Sequence, residues 1–156
     1  MYVEESGKHC FLLSDTVFFY NHWGGDIVKK IDLFKTKYFA ERDPNFKFYI
    51  SCIAIKVIED ELFEVLLGTS TGHILHGCLL FEPKTGKLTI IENFNCLLEL
   101  ERGKPVLDIS IVNFKNFIVL LAVNDTNLFQ LVGKGTIVKE TLLKYQQDPQ
   151  LKESHC

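Results

Sequence analysis

Several common signatures are missing from this sequence. It has one Met, one Trp and four Pro, and its 17 basic against 20 acidic side chains leave a net charge of -3. A basic excess is absent, and with it the electrostatic footprint of a nucleic-acid binder, so no nucleic-acid partner is expected. No CxxC pair occurs among Cys10, Cys52, Cys78, Cys96 and Cys156. Odd in number, widely spaced and mostly set in apolar runs, these cysteines read as reduced thiols in the cytosol and not as a secreted disulfide framework. The longest uncharged stretch, Val65 to Phe81, contains three Gly, two His, a Ser and two Thr, too polar and slightly short for a spanning helix. Glu4 and Glu5 stand where a secretory signal would carry positive charge before an apolar run. Neither a direct membrane span nor a targeting segment is expected.

What the sequence does have is 47% apolar residues, 24% charged residues and 13 Phe in 156 positions. That excludes disorder for most of the chain and suits one domain with a core of bulky flat side chains. The apolar runs are short and end at turn residues. Cys10 to Leu13 stops at Ser14-Asp15, Val17 to Tyr20 at Asn21, and Val65 to Leu67 at Gly68-Thr-Ser-Thr-Gly72. Cys78 to Phe81 stops at Glu82-Pro-Lys-Thr-Gly86 and is followed directly by Lys87 to Ile91. These are hairpin signals. Ile50 to Ile55 and Val106 to Ile111 alternate with period 2 and read as half-buried strands. Lys139 to Gln147 is good helix-forming material, stopped by Asp148-Pro149.

The chain also resembles itself. Phe11-Leu-Leu-Ser14 precedes Val65-Leu-Leu-Gly68 by 54 residues, and that block precedes Val119-Leu-Leu-Ala122 by 54 more. Each is followed by a polar turn and a second apolar strand, and Ile50 to Ile55 matches Val106 to Ile111 at a shift of 56. A period above 40 residues with about four strands per unit marks the blade of a β-propeller. The expectation is an all-β chain of about three blade-like units, near residues 1–34, 49–103 and 105–133, plus a short helix near 139–147. The charged, Pro-containing segment from Phe34 to Phe48 reads as a loop on a blade edge. Three blades do not close a ring, so the alternatives are part of a longer propeller or a compact sandwich.

The chemistry candidates each have a plainer reading. His73-x-x-His76-x-Cys78 is the densest metal-like cluster, but on a strand only His76 and Cys78 share a face. Ordinary strand side chains explain it better than zinc, which needs four converging ligands. The Gly68 to Gly72 turn lacks the phosphate-loop pattern and is followed by a strand, so it reads as a hairpin turn. Glu59-Asp60-Glu61 reads as a turn, and Glu99 with Glu101 as neighbours on one strand face. Asn124-Asp-Thr126 matches a glycosylation sequon, relevant only to a secreted chain. Trp23 beside Gly24-Gly25, with Phe18-Phe19-Tyr20, is an aromatic group of core or hot-spot type. No catalytic, cofactor-binding or metal residue is assigned, and the partner-binding residues stay open.

In order along the chain stand Glu5-Ser-Gly-Lys-His9-Cys10, Leu67-Gly-Thr-Ser-Thr-Gly-His-Ile74, Gly103-Lys-Pro-Val106, Leu128-Phe-Gln-Leu-Val-Gly133 and Leu142-Leu-Lys-Tyr145. By their order and spacing the chain resembles the deep orange family of class C vacuolar protein sorting subunits, in part of its N-terminal β-propeller. Phe34 to Phe48 and the tail after Pro149 depart from the family pattern. The resemblance implies a cytoplasmic protein, peripheral on endosome and vacuole or lysosome membranes, in the HOPS and CORVET vesicle-tethering complexes. It implies other class C subunits as partners and an indirect link to SNAREs and Rab-type GTPases in protein transport and membrane fusion.

The leading expectation is therefore a non-catalytic protein-protein interaction scaffold, not an enzyme, with no cofactor. An isolated three-blade chain is also expected to self-associate. The alternative is a propeller or small β-barrel binding a small ligand or carrying a hydrolase-type site, for which Asp108, Asp125 and His73 are the residues at hand.

Overall fold

The computed structural model describes residues 2–3, 9–14, 17–22, 28–32, 48–59, 61–135 and 138–147. Side chains are described at Cys10 and Phe11 in the first strands and as far as Leu143 in the helix. The loop read between Phe34 and Phe48 falls almost wholly outside the described residues. So do Trp23-Gly24-Gly25, Asp60 and the tail after Gln147.

Among the described residues the chain is mostly β. Strands β1 (Tyr2–Val3), β2 (His9–Ser14), β3 (Val17–His22) and β4 (Val28–Asp32) form a first sheet in the order β1-β2-β3-β4. Strands β5 (Ile50–Glu59), β6 (Leu62–Thr69), β7 (His73–Glu82) and β8 (Lys87–Glu99) form a second, in the order β5-β6-β7-β8. Strands β9 (Asp108–Phe114), β10 (Phe117–Val123) and β11 (Leu128–Lys134) form a third, with β10 central. Helix α1 (Val138–Gln147) follows. Every pairing is antiparallel and joins chain neighbours, so each sheet is a meander. Short turns allow this, since antiparallel strands need no long crossover.

The second sheet is buried on both faces. Phe63, Val65 and Leu67 of β6 with Leu75 and Leu79 of β7 form one core, which Phe11 of β2 joins. The Phe11 and Phe63 rings meet edge to face, 6.1 Å between centroids. On the opposite face Ala54, Leu66, Ile74 and Leu98 pack against Ile109, Ile118, Leu120 and Leu131 of the third sheet, and against Val138 and Leu142 of α1. Each of the larger side chains contributes about 1.5–3 kcal/mol when withdrawn from water. The second and third sheets thus pack face to face with β5 beside β9, while Phe11 of the first sheet enters the core on the other side of the second. Two-sided burial explains why β6 shows no polar alternation: all of Phe63 to Thr69 is buried.

The sequence expectations need two corrections here. The strand read from Val106 begins at Asp108, because the Val106 amide donates to Thr69 O and the Leu107 amide to Val123 O while the chain crosses between sheets. Among the described residues the third unit has three strands where four were expected, and α1 lies along β11 and β8. The three sheets do not close on one another among the described residues, in keeping with the expectation that three such units form no ring.

Candidate functional site

The turn from Thr69 to Gly72 is where the second sheet is tied to its surroundings. The Ser70 amide donates to Tyr49 O, the Tyr49 amide to Ser70 Oγ, the Leu100 amide to Gly72 O and the Val106 amide to Thr69 O. The Gly72 amide donates to Thr69 O and the His73 amide to Thr69 Oγ1. The Ser70, Gly72 and His73 amides are thereby committed within the fold instead of being aimed at an anion. The two glycines serve different ends. Gly72 has a φ of 86°, whereas Gly68 lies inside β6, where a Cβ would come within 2.8 Å of Val106 Cβ. Gly68 is needed for close sheet packing, Gly72 for the turn.

His73 and His76 leave β7 on opposite faces. His73 Nε2 lies 3.1 Å from Glu99 Oε2, and its Nδ1 lies 2.8 Å from Thr71 Oγ1. Glu99 also accepts from Arg102 Nε at 3.1 Å. The Arg102 hydrogen bond is the main cause that holds the Glu99 carboxyl below its ordinary value. Glu101 is not beside Glu99 on a strand, because β8 ends at Glu99 and the chain turns. Glu101 instead pairs with Lys104 at 3.0 Å and accepts from Asn124 Nδ2 at 2.9 Å. Lys104 leads the groups that keep its carboxyl low. Asn124 is buried, and its Oδ1 accepts from the Thr126 and Asn127 amides. The sequon asparagine is a turn-forming residue whose amide nitrogen is already engaged.

His76 belongs to a cluster that sequence reasoning missed. Its Nε2–H donates to Glu64 Oε2 at 2.7 Å. Glu64 is 0% exposed and also accepts from the amides of Val138 at 2.9 Å and Lys139 at 3.1 Å. A carboxylate on β6 therefore caps a helix 74 residues away, supplying acceptors for N–H groups that lack partners within the helix. Burial alone would raise the Glu64 pKa, but His76 and the two amides together hold it below the ordinary value. An ionised Glu64 only accepts, which places a proton on His76 Nε2.

The rest of the cluster follows from register. Lys56, Glu64, Cys78 and Glu92 are cross-strand partners in one row over β5, β6, β7 and β8. Glu92 Oε2 takes Lys139 Nζ at 3.0 Å and stands 4.0 Å from His76 Nδ1. Lys56 is buried and its Nζ has no hydrogen-bond partner among the described residues. Burial pulls its pKa down, against the opposing pull of Glu64. Cys10, Cys52, Cys78 and Cys96 form no disulfide among the described residues. Burial pushes the Cys52 and Cys78 pKa values to about 11, with Glu92 and Glu64 adding to the rise at Cys78. Such thiols are protonated at neutral pH and poorly nucleophilic. Among the described residues no group of three or more His, Cys, Asp or Glu is placed to hold a metal ion. The visible sequence signal for this cluster was Glu64 itself, a carboxylate set in the apolar run from Leu62 to Leu67.

Two surface features remain. A cleft of about 420 Å³ lies between the end of the third sheet and α1, lined by Phe117, Val132, Gly133, Lys134, Glu140 and Thr141. The outer face of the third sheet exposes Val112, Phe114, Phe117, Leu128 and Val132. Asp108 and Asp125 are exposed on that sheet, whereas His73 is bonded to Glu99 on the second, so the geometry does not gather these three around one group. No described helix is long and apolar enough to cross a membrane. No protein-family model, curated protein or solved structure matches the chain.

Proposed function

We propose that this chain is a non-catalytic protein-interaction module built of propeller-like blades, acting as a scaffold in vesicle tethering. The observation that carries the reading is the stack of antiparallel meanders. The second and third sheets pack face to face with their first strands adjacent, β5 beside β9, as blades sit around a propeller axis. The buried polar groups described above also serve the fold: Glu64 and His76 fasten a helix, and Thr69 and Asn124 form turns. Rigid sheets of this kind present edges and loops to other proteins.

The resemblance to the deep orange family supports a place in the HOPS and CORVET complexes on endosome and vacuole or lysosome membranes. In that setting the partners are other class C subunits, with SNAREs and Rab-type GTPases reached through them. The test is direct binding. Purified chain is titrated, by interferometry, against each purified class C core subunit. Saturable micromolar or tighter binding to one subunit is expected, and it should be reduced at least tenfold by the pair Gly68→Val and Gly72→Val, which disrupts the turn organising the second sheet. Binding to none of the subunits, in a sample whose circular dichroism shows the β fold, would overturn the tethering assignment.

A further inference from the structure

The outer face of the third sheet has a pattern of its own. Register places Val112, Val119 and Val132 in one row, Phe114 and Phe117 with Lys134 in the next, and Ser110, Leu121 and Gln130 on the other side. The last row is Asp108, Val123 and Leu128. The alternate residues Ile109, Ile118, Leu120, Phe129 and Leu131 are buried against the second sheet and α1. The face is therefore apolar through its middle, and it is charged at its ends with opposite signs. One end carries Lys115, in the β9–β10 turn, and Lys134; the other carries Asp108 and Asp125, and all four are exposed. Lys115 Nζ lies 5.6 Å from the centre of the Phe114 ring, which places its charge beside the apolar rows. Of the other charges nearby, Lys104 is paired with Glu101, and Glu140 of α1 lines the cleft at the edge of the sheet together with Lys134, leaving Lys115 and Lys134 as the cations of that end against one carboxylate.

We propose that a second copy of this chain covers this face, the two third sheets packing face to face about a two-fold axis that runs across the strands. That axis lays each β10 antiparallel over its counterpart. It sets the Lys115 and Lys134 end of one copy over the Asp108 and Asp125 end of the other, twice by symmetry. A two-fold axis along the strands would instead place like charges together, so the charge pattern selects the orientation. The modest rotation usual between packed sheets does not exchange the ends. Size agrees as well. Three strands about 4.8 Å apart and seven residues at about 3.3 Å each make a face of roughly 300 Å² in projection. With side chains standing from both faces, on the order of 1,000 Å² leaves water, the threshold for a specific interface. Phe114, 62% exposed, and Phe117, 41% exposed, supply the aromatic anchors.

This inference stands apart from the tethering reading, and a monomer would leave that reading intact. Size exclusion with light scattering at micromolar concentration should give twice the 17.9 kDa chain mass. Two charge-reversal variants change only exposed positions. Lys115→Glu with Lys134→Glu makes both ends acidic, and Asp108→Lys with Asp125→Lys makes both basic. Each alone should dimerise at least tenfold more weakly while keeping its circular dichroism spectrum. Mixed in equal amounts they should form a 1:1 heterodimer of near wild-type affinity, since every end-to-end contact is then between opposite charges. Val119→Asp, at the centre of the face, should be monomeric. A wild-type chain that stays monomeric to 200 μM, variants that dimerise as well as wild type, or a mixture that fails to pair would each overturn the proposal. So would a monomer that binds only a different protein through Phe114.

Discussion

Glu64 shows how one side chain can carry a large share of a local structure. Its carboxylate has three donors and no exposure to water. Removing one member of such a buried charged arrangement costs about 3–5 kcal/mol, because the partners stay behind unpaired. Glu64→Ala is expected in that range by urea denaturation, and Glu64→Gln, which keeps an acceptor, at about half. The pH dependence has a definite sign. Glu64 is held below its ordinary pKa when folded, so its contribution is complete above the unfolded value, near 4.3, and is lost as the pH falls through the folded one. Melting temperatures should therefore drop as acid is added below about pH 5, and part of that drop should vanish in Glu64→Gln. Lys56 runs the other way. Its ammonium is buried and lacks a hydrogen-bond partner among the described residues, and its pKa is lowered, which means the fold disfavours the charged form. Lys56→Met, of similar reach, should raise stability by about 1 kcal/mol at neutral pH. A loss of more than that on denaturation would show that the charge of Lys56 supports Glu64.

At the scale of elements, α1 is held from both sides. Glu64 caps its start, Lys139 reaches Glu92, and Val138 and Leu142 enter the core. Its approach to β11 is close: a Cβ at Gly133 would stand 2.9 Å from Thr141 Cβ. Gly133→Ala should push α1 off the sheet, costing about 1–3 kcal/mol, and hydrogen exchange in α1 should quicken. Adding Thr141→Ala, which removes the hydroxyl and methyl groups facing Gly133, should restore part of that loss, a coupling that a double-mutant cycle measures. The strands were readable because their runs are short, rich in branched and aromatic residues, and closed by turn residues, as in Val65 to Gly72 or Cys78 to Gly86. The helix was readable from Lys139 to Gln147 for its composition. The cap was not, because a helix start is sought in the residues just before it and this acceptor lies on another sheet. Likewise Glu99 and Glu101 look like strand neighbours in sequence. Nothing local announces that the strand ends between them, where the Leu100 amide turns to Gly72 O.

For the whole molecule, the stack places the second sheet in the middle, sealed by Phe11 on one side and by the third sheet with α1 on the other. Cys52, on the sealed face against the third sheet, is buried and its thiol is protonated at neutral pH. Alkylation of Cys52 in native protein should therefore be slower than that of Cys10 by at least a hundredfold, and it should rise with urea in step with unfolding. Labelling of both at the same rate would mean that the two sheets part easily. The remote cap also has a consequence in time. A ribosome adds about 5–20 residues per second, so Glu64 exists for roughly 4–15 seconds before the amides it will accept have been made. Through that interval the nascent second sheet exposes to solvent a face shaped for a partner still inside the ribosome. Its final closure waits on the last described segment of the chain, and a chaperone would find its binding surface there during those seconds.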